Sequence, residues 1–379
     1  MSDRKLLAWR NAGLIDDETV AQIRAWEDQH SRPLAIWAVI GIGALAIGLG
    51  LISVVAANWE DVPGTVRLAA HLTVIAGLGM FLFLRGESLE RDQPWGLEAG
   101  LFVFGLLGMT FFGHIGQVYQ TGSPLWKAFA AWLVLFAPLL LQRGQSWLSA
   151  ALVMFAFAYA CWDYSFSFNG RWGQPENVPY LLIALITALP IWLAPFAAWM
   201  RGRSTRESFW KRLEQIALVY AVAGASLVCI AAGINSFDSG EMAFGSQAVR
   251  GGAALIAGAG VVLARKSRSG QACGIVLACA GTACFVAFAV SGSQLMGGVL
   301  FMVLWIGIAA AALYAGWRAV FQIAVGVIAL RLIILSFELA SDLLSSGAGL
   351  IVAGLLILAV AWAAIRISRE YAPDRVEAA

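Results

Sequence analysis

The sequence predicts an all-α, polytopic integral membrane protein of about twelve transmembrane helices, with both termini cytoplasmic. Three observations carry that prediction. The chain is 60% hydrophobic and only 13% charged over 379 residues, too apolar for a soluble fold to cover. Twelve apolar stretches are each long enough to cross a bilayer. The basic residues between them alternate: the odd-numbered connections, counting Arg366 at the rim of the last stretch, carry 20 of the 25 Lys and Arg. The even-numbered ones carry Arg67, Lys127, Arg171 and Arg250, and Arg331 lies within a stretch. Short loops rich in Lys and Arg stay in the cytoplasm, so the asymmetry sets the orientation.

Residues 1–31 read as a cytoplasmic helical hairpin. Gly13 ends a first short helix, Asp16 caps a second, and Val20, Ile23 and Trp26 give that helix an apolar stripe. The expected spans follow at 34–57, 66–84, 97–119, 125–141, 145–162 and 179–199. A basic interfacial segment, 200–212, divides the chain, and six more spans fall at 213–234, 248–264, 271–290, 295–316, 319–337 and 347–366. A cytoplasmic tail covers 367–379. The first apolar run starts near Leu34, behind a charged segment, and is too long for a signal-peptide core, so no cleavable signal is expected.

The division into six spans plus six has a faint echo in the residues. AANWEDVPGTVRLAA after the first span resembles AAGINSFDSG and QAVRGGAA after the seventh. Those two spans share an orientation, so a duplication would be a parallel repeat. In the central segment Arg201, Arg203, Arg206, Lys211 and Arg212, with Phe209 and Trp210, suit a short interfacial helix against anionic lipid.

Other classes find little support. No basic cluster interleaved with aromatics lies outside the apolar runs, so no nucleic-acid partner is expected. Cys161, Cys229, Cys273, Cys279 and Cys284 lie within or beside apolar runs and form no CxxC pair, so they read as packing residues. No metal or cofactor site is expected. GIGALAIGLG looks like a nucleotide loop, but it sits inside a membrane span with no strand before it.

The candidate site is built from polar residues near the outer face. Asn58, Glu60 and Asp61 close the first span as helix-end residues, or Glu60 and Asp61 form an outward-facing cation or proton port. Arg67 and His71 share a face of the second span, one turn apart. His114, with Gln117 three residues on, sits near the exit of the third. At 1.5 Å per residue both histidines lie about 8 Å below the outer surface, at the depth of Arg331 in the eleventh span. A buried arginine there costs roughly 2.5–3.5 kcal/mol on insertion scales unless it snorkels or pairs. Arg331 can snorkel, pair with Glu338 two turns on, or bind an anionic headgroup or substrate carboxylate.

The patterns LLAWRNAGLIDDETVAQI, AANWEDVP followed by Arg67, and HIGQVYQTGSP with Trp126 or Trp132 together resemble a bacterial membrane-protein family, domain of unknown function two-one-five-seven. The resemblance covers about residues 1–140. It implies a multi-pass protein of the bacterial inner membrane and brings no reaction with it. Three functions therefore stand side by side. The first is a secondary transporter or lipid-handling carrier with an outward polar cavity at His71, His114 and Arg331. The second is a membrane-embedded enzyme acting on a lipid-linked or periplasmic substrate through Asp61, His71 and His114. The third is a sensor or scaffold that uses the N-terminal hairpin. Architecture favours the carrier.

Overall fold

The computed structural model describes residues 9–30 except 11, then 62–171, 180–234 and 242–339, with Ala46 and scattered positions between 351 and 370. Met1–Arg67 and Leu68–Ala379 form two compact units. In the first, Gly13 takes a left-handed φ of 70°. The Asp16 carboxylate then accepts the Thr19 amide at 2.8 Å and opens helix α1, Asp17–His30. The hydroxyl and amide of Thr19 hold the Asp16 carboxyl below the usual carboxylate range.

The second unit is all helix among its described residues. Its elements are α2 (Gly64–Asp92, which begins at the end of the first unit), α3 (Pro94–Tyr119), α4 (Leu125–Leu135), α5 (Ala137–Arg143), α6 (Trp147–Arg171) and α7 (Tyr180–Ala188). A 3₁₀ turn, Leu189–Trp192, leads into α8 (Leu193–Arg201). After it come α9 (Glu207–Gly233), α10 (Phe244–Ala264), α11 (Arg268–Ala289), α12 (Gln294–Ala315) and α13 (Arg318–Leu339). Local chemistry sets many of the ends. Pro94 starts α3, where its missing N–H is no loss. Ser267 and Ser293 cap α11 and α12 through their hydroxyls. Gly316 ends α12 at φ 74°, a left-handed conformation that suits glycine.

Nine of the described helices are long and apolar enough to cross a membrane, with α7, the 3₁₀ turn and α8 acting as one of them. The pair α4 and α5, bent by 42°, makes a tenth if it is one span. The expected spans from 66–84 to 319–337 all fall on these helices. The spans 34–57 and 347–366 lie largely outside the described residues. The breaks have a simple cause. Pro138 cannot donate to the Val134 carbonyl and its ring crowds that turn, so the 125–141 span bends at Phe136. Pro190 likewise lacks an N–H for the ladder within 180–201, where the turn tightens to 3₁₀.

Packing in the bundle depends on small residues. On α10 and α11, Gly251 faces Gly281 and Gly258 faces Gly274, an antiparallel register in which both pairs are seven residues apart. A Cβ on Gly251 or on Gly281 would lie 2.7 Å from the other's carbonyl oxygen. The two backbones therefore touch, as small-residue interfaces allow in lipid. A separate aromatic core joins α2 to α6 around Trp132, Phe104, Phe136 and Leu140, and the buried Trp132 indole donates to the Gly105 carbonyl at 2.8 Å.

One expectation is corrected here. Residues 207–212 are not a separate interfacial helix but the first turns of α9. Phe209 and Trp210 point inward, buried against Leu213, Ala198 and their neighbours, and Trp210 meets the Phe196 ring edge-on. The hydrophobic gain of closing the helix junction outweighs exposure to the membrane surface.

Candidate functional site

The α2 and α3 helices meet through side chains: Leu82 lies over Gly100 and Phe104 over Gly79. At the end away from Asp92 and Pro94, this pairing brings His71 and His114 face to face. Their Nδ1 atoms are 3.3 Å apart, with ring centroids at 5.6 Å and planes tilted by 38°. Phe111 closes one side of the His71 ring edge-on at 5.3 Å. Both rings are half-buried. At this distance one Nδ1 must carry the hydrogen and the other must accept it. The pair therefore holds zero or one extra proton in this geometry; two imidazolium rings would point N–H at N–H and repel.

The other expected residues are distributed as follows. Gln117 turns its side chain to the exterior, while its carbonyl accepts the Gln120 amide nitrogen at 2.8 Å. Arg67 is in the first turn of α2. Asn58, Glu60 and Asp61 lie outside the described residues. Arg331 stands on α13, beside Gly298 of α12. Although only 9% exposed, it forms a two-pronged ion pair with Glu338 at 3.0 and 3.1 Å. This fork compensates the buried charge. The structure thus joins the two histidines to each other and Arg331 to Glu338, on different helices. A groove of about 360 Å³ between α2, α3 and the bent span, lined by Gly79, Met80, Phe83, Phe104, Leu135 and Pro138, includes none of these residues.

Sequence reasoning missed a second polar constellation, at the opposite end of the bundle, which we call the basic end. Its centre is the turn between α5 and α6. Glu98 of α3, 7% exposed, accepts the Gln145 amide, the Ser146 amide at 2.9 Å, the Ser146 hydroxyl at 2.5 Å and the Ser149 hydroxyl at 2.6 Å. A carboxylate thus caps the start of α6 from a neighbouring helix. From the other side Arg206 donates to the Gly144 carbonyl at 3.0 Å and to Glu90 at 3.2 Å. Arg212 donates to the Gln145 carbonyl, and the Gln145 side chain to Glu90. Burial pushes the Arg206 guanidinium below its ordinary value, with Glu90 opposing that shift and Arg143 adding to it.

Next to this turn, Glu214 of α9 is 1% exposed. It receives Arg201 of α8 at 2.9 Å and Arg265, just past α10, at 2.5 Å. Arg201 also reaches Glu207 at 2.8 Å, and Arg265 reaches Ser269 at 2.6 Å. Three of the five cations expected to face lipid are therefore spent inside the protein. Arg203 lies over the Trp199 ring at 4.1 Å, and Lys211 is exposed. A signal was present in the sequence: Glu98 and Glu214, like Arg331, fall inside apolar stretches, where a charge needs a partner.

Residues 7–149 match the family model described as Predicted membrane protein (DUF2157). The match covers the described helices α1 to α5, the histidine pair and Glu98. No curated protein and no solved structure matches the chain. The family and the helices agree on a membrane protein with several apolar spans.

Proposed function

We propose that this protein is a proton-responsive secondary carrier, with the His71–His114 pair as its proton-binding group. The observation that carries this reading is the 3.3 Å approach of two imidazoles on consecutive spans. A shared hydrogen holds α2 to α3 near that end whether the pair carries zero or one extra proton; a second extra proton forces the rings apart. Each imidazole can donate at one ring nitrogen and accept at the other, so the pair can take up a proton on one side and pass it on. A discontinuous span, here α4–α5, is a recurring feature of carriers.

In this reading the basic end faces the cytoplasm of a bacterial inner membrane, by the charge asymmetry of the loops. The histidine pair faces the outer side, and Arg203 and Lys211 are the cations left for anionic headgroups. The enzyme reading draws on the same two histidines but also needs Asp61, which lies outside the described residues, and the scaffold reading rests on the N-terminal hairpin.

The test uses the full chain in liposomes holding a pH-sensitive dye. An imposed pH gradient should drive proton flux that falls to the empty-liposome rate in His71→Phe and His114→Phe. Wild-type flux equal to empty liposomes, or flux undiminished in both variants, overturns the proposal.

A further inference from the structure

We infer that Arg206 and Arg212 latch a gate at the basic end, and that α5 is its moving arm. The inference rests on the carrier reading and assigns that carrier's inner closure. Helix α5 is a seven-residue piece, Ala137–Arg143, with a hinge at one end and a grip at the other. The hinge is the 42° bend at Phe136, where Pro138 has removed the hydrogen bond that would stiffen the junction.

The grip is the turn Gly144–Ser146. Its two carbonyls are held by Arg206 and Arg212, and its two amides by Glu98. Glu90 ties Gln145 and Arg206 into the same knot. The holding groups come from both sides of the turn, α2 and α3 on one and the α8–α9 junction on the other, so the knot bridges two parts of the bundle. Behind it Ala150, Phe209, Leu213 and Ala217 pack together in one core.

The two sets of bonds differ in what release costs. Glu98 caps a helix and is buried, so letting go leaves amides unsatisfied. Arg206 and Arg212 are partly exposed and each grips a carbonyl, whose two lone pairs tolerate the loss of a partner better than an amide does, so release there costs less. The gate therefore opens on the arginine side, with α5 swinging about Phe136 while Glu98 keeps the start of α6 in place. Gly144 fits the closed state tightly: a Cβ there would lie 2.5 Å from the Leu140 carbonyl oxygen and 2.6 Å from the Ser149 Cβ.

The experiment places Ala150→Cys in a full chain whose five native cysteines are changed to Ala, reconstituted in liposomes and exposed to N-ethylmaleimide. Ala150 is fully buried behind the turn, so labelling should be slow. Adding Arg206→Gln with Arg212→Gln should raise the rate about tenfold or more, as expected when a closed state loses its ties. A rate within twofold of the parent, in protein that still elutes as the parent does on gel filtration, overturns the latch. Should that variant fail to fold, Glu90→Arg alone should label fast and Glu90→Arg with Arg206→Glu slowly. Equal rates in these two overturn it as well. Labelling needs no transport, so the two proposals fail separately. Fast labelling of the latch variants without proton flux removes the carrier, and flux with slow labelling removes the latch.

Discussion

Replacing Glu98 isolates what holds the α5–α6 turn. In Glu98→Ala four donors lose their acceptor. The hydroxyls of Ser146 and Ser149 can rotate to other acceptors, but the amides of Gln145 and Ser146 cannot. Each orphaned buried amide costs about 1–3 kcal/mol; these two are part-buried, which puts the variant at most about 2–6 kcal/mol below wild type. Glu98→Gln keeps one carbonyl oxygen for the amides and gives up the favourable charge at the start of α6. That charge is worth about 0.3–2 kcal/mol, so Gln should cost well under half as much as Ala. The assay is reversible unfolding in mixed micelles titrated with sodium dodecyl sulfate, followed by far-ultraviolet circular dichroism. Glu87→Ala is the control: Glu87 is 81% exposed and 3.4 Å from Arg143, and an exposed pair of that kind contributes little. If Glu98→Ala loses less than about 1 kcal/mol, or if Gln and Ala are equally damaging, the carboxylate is not the cap described above.

Two further perturbations test the packing and the charge network in the same assay. Glu214→Ala leaves Arg201 and Arg265 converging without their carboxylate and should cost about 3–5 kcal/mol, the usual penalty for breaking a buried ion pair from one side; a loss below about 1 kcal/mol would show that water replaces Glu214 without difficulty. Gly281→Ala should cost about 1–3 kcal/mol by forcing α10 and α11 apart. Gly252→Ala, whose new methyl group would meet nothing within 4 Å, should be neutral, and equal effects in the two would contradict the close backbone approach.

Where the helices lie was legible because a bilayer imposes a coarse rule: each crossing needs about twenty apolar residues. Ten of the expected spans coincide with described helices for that reason, even the bent one. The partner of Arg331 was legible too, since Glu338 is seven residues away on the same helix and helical geometry alone brings them together. The two histidines could be placed at one depth by counting residues, but depth says nothing about azimuth. That they touch depends on how α2 is rotated against α3. Of the cations in 200–212, Arg206 finds its carboxylate, Glu90, 116 residues away, beyond any local pattern; Glu207 and Glu214 are only 6 and 13 residues from Arg201, but the fold of the α8–α9 junction decides that they meet.

Composition and spacing alone fix a chain that threads the membrane repeatedly, because hydrocarbon takes up long apolar stretches whatever their neighbours are. Which cations are tied to which acids, and which imidazole meets which, was decided only when the helices packed. Those contacts are directional and span helices distant in sequence, and no one-dimensional pattern encodes the rotation of one helix about its axis relative to the next.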